Sequence, residues 1–130
     1  MNILDENIIA SQRQLLRSCR IRVRQIGHDI AQKGISDEQI IPFLLQRRRP
    51  TFFTRDLGFF ERSFCHRRYC LVCLAIEKQE VATFIRRVLN HGELDTQAKR
   101  IGTVIRVSHQ GLWVWRLNAD EEQSLEWESV

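Results

Sequence analysis

The chain opens MNILDENIIASQRQLL over residues 1–16. Residues 1–4 are a short, mostly apolar run that ends on Asp5, after which Ile8, Ile9, Gln12, Leu15 and Leu16 recur at helical spacing. A strand that delivers an acid and then turns into a helix is the start of a strand–helix unit. Ile21, Val23 and Gln25 alternate with Arg22 and Arg24, the period of a strand with one polar face. Gly27 and Gly34 punctuate a connection, and Ser36 stands where it would cap a helix carrying Asp37 and Glu38 in its first turn. Ile40, Ile41, Leu44 and Leu45 give that helix one apolar face; Pro42 falls inside the run and predicts either a kink or a later start.

The alternation continues. Thr51-Phe52-Phe53-Thr54 is a β-favouring run leading to Asp56, residues 57–60 suggest a tight turn or one helical turn, and residues 69–76 form an apolar run of the kind buried on both faces of a parallel sheet. Val81, Phe84, Ile85, Val88 and Leu89 predict a helix over 80–90 that stops before Gly92. Residues 103–107 and 112–117, joined by Ser108-His109-Gln110-Gly111, predict a hairpin with Trp113, Trp115 and Leu117 on one face. Strands and helices in this order imply right-handed crossovers, hence an α/β fold: a three-layer α/β/α domain over 1–119 with a mainly parallel sheet, an added C-terminal β-hairpin, and an acidic tail over 120–130.

At 130 residues, 43% of them hydrophobic and 28% charged, the composition fits one globular domain and excludes a disordered or fibrous chain. Asp5, Glu6 and Arg13 interrupt the opening, and no stretch approaches the 18 apolar residues of a membrane span, so a soluble cytoplasmic protein with no membrane partner is expected. Cys19, Cys65, Cys70 and Cys73 are then expected as reduced thiols. Charge is unevenly spread: residues 1–119 hold all 20 Lys and Arg against 11 acids, while 120–130 hold five acids and no base. Seventeen of the 20 bases are arginine, whose planar fork suits phosphate oxygens, so a phosphate-rich partner is expected. For Arg13, Arg17, Arg20, Arg22 and Arg24 the competing reading is a solvated surface face.

Ligands of parallel sheets sit at the carboxyl ends of the strands. By that rule Asp5 and Asp56 emerge on one edge, and Asp37 and Glu38, at a helix start, face the same crevice. Gathered carboxylates repel unless a cation neutralises them, which predicts Mg²⁺ or Mn²⁺; the alternative is separate service as helix caps and surface charge.

The order Leu4-Asp5-Glu6-Asn7, Ser36-Asp37-Glu38, Thr54-Arg55-Asp56 resembles the compact PIN-like nuclease domains, over roughly residues 1 to 60. These are metal-dependent ribonuclease relatives that include the toxins of many bacterial toxin–antitoxin pairs. The resemblance implies RNA phosphodiester hydrolysis with Asp5 and Asp56 as principal metal ligands, and Asp37 or Glu38 as a third, direct or through water. It gives Glu6 and Asn7 supporting places, makes Thr54 the residue that orients Asp56, and sets Arg55 beside the scissile phosphate or in solvent. It also implies RNA and an antitoxin protein as partners. One departure bears on activity: Gly58 stands where such domains often carry a second acid, and Glu77 and Glu80 are the nearest candidates for a further one. The alternative is therefore a catalytically degenerate domain that binds RNA or a protein.

Arg47-Arg48-Arg49 and Arg67-Arg68 are the densest basic groups and the predicted grip on nucleic acid; Phe52, Phe53, Phe64 and Tyr69 beside them would stack bases or pack the core. Cys65, His66, Cys70 and Cys73 offer soft ligands for zinc, but on a strand residues 70 and 73 face opposite sides, so core cysteines are the favoured reading. His28, His91 and His109 fall in glycine-flanked loops, with exposure as the default. The tryptophan hairpin is read as a cover for the sheet, a homodimer contact or a docking face. The acidic tail is read as a segment that folds back on the arginines and competes with RNA.

Overall fold

The computed structural model describes residues 1–128. β1 (Asn2–Leu4) leads into α1 (Ala10–Ser18), which returns the chain to β2 (Arg24–Gln25); α2 (Asp37–Leu45) then carries it to β3 (Thr51–Thr54). Two short 3₁₀ turns, Leu57–Phe59 and Arg62–Phe64, precede β4 (Cys70–Leu74); α3 (Val81–Asn90) and α4 (Gln97–Arg100) precede β5 (Thr103–Val107). β6 (Leu112–Arg116) and β7 (Gln123–Leu125) finish the described chain. All seven strands join one sheet in the order β2-β1-β3-β4-β5-β6-β7. The first five run parallel, and β6 and β7 are antiparallel to their neighbours.

The sheet is covered on both faces, and the side-chain period of two assigns each face its core. Leu4, Phe53, Val72, Ile105 and Val114 point to the side where α1 brings Leu16 and α3 brings Phe84, Ile85 and Val88. Ile3, Phe52, Leu71 and Val104 point to the other, where α2 contributes Ile40 and Leu44 and the first 3₁₀ turn contributes Phe59. A polar link ties the first layer together: buried Gln12 of α1 accepts the Ala82 N–H at the start of α3 (2.9 Å) through its side-chain oxygen. That donor belongs to the first turn of a helix and has no intrahelical partner.

Several expectations meet a different outcome. The strand expected over 21–25 is only two residues long, because it lies at the sheet edge beside a three-residue β1. α2 starts at its Ser36–Gln39 capping box and runs through Pro42; the carbonyl left without a donor belongs to Glu38, which is exposed to water. Residues 97–100 were not anticipated as a helix, nor 123–125 as a strand, since neither stretch has an apolar period of its own. The acidic segment is therefore not simply a tail: β7 pairs with β6, Leu125 is buried, and the Trp127 indole donates to the Ser108 carbonyl at 2.7 Å. Asp120 approaches Arg62 at 3.7 Å, and none of the tail's acids forms an ion pair with Arg47–49 or Arg67–68 among the described residues. His91 is buried rather than exposed, with its ring bonded to the Glu126 carbonyl and the Glu93 N–H. Phe52, Phe53 and Tyr69 are core residues and present no face for stacking.

Cys70 and Cys73 do face opposite sides of β4, one in each core. Burial pushes their thiols up to about 11 and about 12, which makes them poor nucleophiles. Cys19 is exposed and Cys65 half-buried. A disulfide-exchange reagent should thus titrate Cys19 first in the native protein and reach Cys70 and Cys73 only when denaturant opens the sheet; immediate reaction of all four would contradict a central β4. Gln12→Leu should cost about 1–3 kcal/mol in chemical denaturation, because it leaves the Ala82 N–H buried without a partner.

Candidate functional site

β1 and β3 are neighbours, yet β2 comes between them in the sequence; the chain winds outward on one side of β1 and returns on the other. The carboxyl ends of these two strands flank a topological switch point, the place where an open α/β sheet leaves a crevice. The parallel register sets Leu4 opposite Phe53, so Asp5 and Asp56 leave the sheet side by side. α2 starts on this edge, as it must to reach the amino end of β3, and brings Asp37 to the same crevice. Asp37 and Asp56 line one crevice, and the Asp5 charge acts on Asp37.

Their side chains are held by local bonds. The Thr54 hydroxyl donates to Asp5 Oδ2 at 2.7 Å and accepts the Asp56 N–H at 3.0 Å; the Glu6 N–H donates to Asp5 Oδ1 at 2.8 Å. The expected hydrogen bond between Thr54 and Asp56 runs from the Asp56 backbone N–H, and the same hydroxyl also orients the Asp5 carboxylate. The Asp56 carboxylate is held by Gly58, whose N–H reaches Oδ1 at 2.9 Å. A Cβ at position 58 would stand 3.0 Å from that oxygen, so glycine allows the close turn that presents Asp56.

The acids act on one another's charge. The Asp37 carboxyl is raised above its ordinary value by loss of water first, then by a hydrogen bond with Asp56, with the charges of Asp56 and Asp5 adding to it. Asp5 is raised by burial first; the bonds from Thr54 and Glu6 act against this, and the Asp56 and Glu6 charges act with it. No lysine, arginine or histidine forms an ion pair with any of the three among the described residues. Nor, among those residues, are three or more His, Cys, Asp or Glu side chains gathered closely enough to hold one metal ion between them. The donors are all carboxylate oxygens, which suits Mg²⁺ or Mn²⁺, but in this arrangement water would have to complete the coordination.

The other assigned residues take varied places. Glu38 lines a crevice of about 530 Å³ with Asp37, Asp56 and Gly58, its apolar wall made by Ile41, Phe59 and Phe64. Glu6 accepts the Gly34 N–H at 2.9 and 3.2 Å and so fastens the loop before α2 to the end of β1. Gly27 in that loop has φ +79°, and a Cβ there would meet Glu6 Oε2 at 3.0 Å. Asn7 is exposed. Arg55 is anchored through Nε to the Ile76 carbonyl at 3.1 Å. Glu77 and Glu80 serve other partners, Glu77 capping a 3₁₀ turn and Glu80 binding His109 at 2.7 Å; neither is among the charges that act on Asp5 or Asp37. Arg47, Arg48, Arg49, Arg67 and Arg68 line one cavity together, but at the opposite edge of the sheet from the acids.

Gln25, which the sequence places only as a strand residue, supports the site. Gln25 is buried, and its Nε2 reaches the carbonyls of Asp5 (3.0 Å), Glu6 (3.3 Å) and Ile8 (2.6 Å), while its Oε1 accepts from Arg13. It holds the loop that carries Asp5. The available signal was a glutamine at the inward position of the Ile21-Val23-Gln25 alternation, where a polar side chain needs buried partners.

No protein-family model matches the chain, and neither the curated proteins nor the solved structures yielded a match.

The raised carboxyls fix the sign of a pH effect. In each case the folded state holds the proton more tightly than the unfolded chain, so ionisation costs stability above the folded pKa, and the cost vanishes below the unfolded one. Asp56→Asn keeps the turn cap and removes the charge that acts on both neighbours. It should raise Tm at pH 7.5 by on the order of 2 °C. The gain should close as pH falls to about 4; a gain independent of pH would mean the acids do not repel.

Proposed function

We propose that this protein is a metal-dependent ribonuclease with a PIN-like three-layer domain, hydrolysing RNA phosphodiesters at the Asp5–Asp37–Asp56 crevice. The observation that carries the reading is the mutual action, beside the switch point, of three acids from three parts of the sequence with no basic side chain paired to them among the described residues. A protein gains nothing in stability from such a cluster, and a cation with an anionic substrate is what would offset it.

In this reading Asp5 and Asp56 hold the cation, their carboxylates kept in place by Thr54 and Gly58. Asp37, with Glu38 as its neighbour on the crevice wall, completes the shell directly or through water. When bound, Mg²⁺ or Mn²⁺ lowers the pKa of a water and offsets charge on the phosphoryl oxygens. Arg55, fixed by its Nε to the Ile76 carbonyl, turns its remaining nitrogens to the phosphate. Glu6 keeps the loop before α2 closed over the β1 exit, and Gln25 keeps Asp5 from drifting. A toxin restrained by an antitoxin is the biological setting such a cytoplasmic nuclease would have.

Gly58 in place of an acid, together with the open spacing of the carboxylates, favours a second reading: a degenerate domain that binds RNA or a protein without cutting.

Cleavage of single-stranded RNA with Mn²⁺ or Mg²⁺ separates the two. The nuclease reading expects cleavage that EDTA abolishes and that Asp5→Asn and Asp56→Asn each slow by roughly a hundredfold or more, since even outer-shell partners of a metal are worth 10–100-fold. Cleavage that survives both substitutions rejects the site. Binding of RNA without cleavage at any metal concentration selects the second reading.

A further inference from the structure

The edge of the sheet opposite the acids collects arginines. α1 and α2 both end on this edge, and the segments that lead into β2, β3 and β4 each carry a basic group. Arg20, Arg22 and Arg24 line a cavity of about 660 Å³ beside Asn2. Arg47–49 and Arg67–68, though 20 residues apart, line a second of about 320 Å³. β1 lies between β2 and β3, so the two cavities sit along one continuous edge, joined by the Asn2 side-chain bond to the Arg22 carbonyl (3.2 Å) and the Thr51 N–H to the Met1 carbonyl (2.8 Å).

Three properties set this edge apart from an ordinary solvated surface. None of these eight arginines forms an ion pair among the described residues, whereas Arg17, which lines the first cavity with them, pairs with Asp29, and Arg62 nearby pairs with Asp120. Two of them hold the backbone in the left-handed region, Arg20 at φ +63° and Arg49 at φ +48°, just beyond the ends of α1 and α2. Glycine or asparagine is the relaxed choice there, and arginine accepts a cost of about 1 kcal/mol. Finally, the groups are spaced by the sheet itself: from β2 to β4 is three strand spacings, about 14 Å in a line.

We propose that this edge is a second binding surface, separate from the acid crevice, for the sugar–phosphate backbone of a nucleic acid. A line of about 14 Å spans roughly four phosphates of one strand at 3.4 Å per charge. Phe52, Phe53 and Tyr69 are buried, half-buried Phe43 is covered by the Arg47 guanidinium at 4.3 Å from its ring centre, and Phe64 lines the acid crevice, so the surface reads charge and not bases. A membrane surface fits less well, because such sites pair basic residues with an exposed apolar helix face, while these arginines lie mainly in the loops at residues 19–23, 46–50 and 65–69. β3, four residues long, separates the edge from Asp56 by roughly 16 Å, so an RNA held here is not thereby placed for cleavage. The inference goes beyond the nuclease reading and stands whether or not the crevice cuts RNA.

Binding is measured in EDTA by fluorescence anisotropy with labelled 20-nucleotide RNAs of two unrelated sequences. Both should bind alike, with log K falling against log salt at a slope of about −3, or roughly fiftyfold between 50 and 200 mM salt. The triple variant Arg48→Gln, Arg67→Gln, Arg68→Gln changes only exposed side chains; with an unaltered thermal melt it should lose at least about tenfold in affinity and flatten the slope to about −1. Asp56→Asn should bind as the wild type does. The proposal is overturned if the triple variant binds within twofold of wild type, if EDTA or Asp56→Asn abolishes binding, or if phosphatidylserine vesicles or polyglutamate compete as well as RNA at equal charge. Loss of cleavage alone bears on the acid crevice and leaves this result untouched.

Discussion

The parallel pairing of β1 with β3, which sets Asn2 opposite Thr51 and Leu4 opposite Phe53, holds together two segments about 50 residues apart and decides what they present. Its register sends Ile3 and Phe52 into one core and Leu4 and Phe53 into the other. A shift of β1 by one residue would swap Ile3 and Leu4 between the two cores and mispack both, so the fit of side chains on both faces locks the alignment. The same register carries Asp5 to Thr54 and Asp56, against the repulsion between the acids. The Thr54 hydroxyl stands between them, donating to one and accepting from the backbone of the other.

A parallel sheet has two unlike edges, and this protein divides its charge between them. Strands end on the edge where α1 and α2 start, and start on the edge where those helices end. Acids leave the first, at Asp5, Asp56 and the opening of α2; arginines enter the second, ahead of β2, β3 and β4. The domain thus has a carboxylate crevice and an arginine edge on opposite sides.

Most of the fold is legible in the chain, because burial writes itself as period. The alternation of strands and helices through residue 90, the capping box at Ser36 and the hairpin around 108–111 all follow from local pattern. What escapes is whatever a neighbour stabilises. β2 is cut to two residues by its position at the edge, β7 exists because β6 offers an open edge, and Pro42 sits inside α2 because Ile40 and Leu44 are packed in the core and the lost bond faces water. Gln25 could be marked as an inward polar residue, but its three carbonyl partners belong to a loop some 20 residues earlier.

By itself the sequence determined which residues are acids, which are arginines, and that strands would deliver Asp5 and Asp56 to one edge, because strand direction and helix caps are local properties. Only the tertiary structure decided that Arg47–49 join Arg67–68 and lie away from the acids, and that Thr54 serves Asp5. Those are distances between segments far apart in the chain. They are set by strand order and register, which the packing of two hydrophobic cores selects and no local pattern encodes.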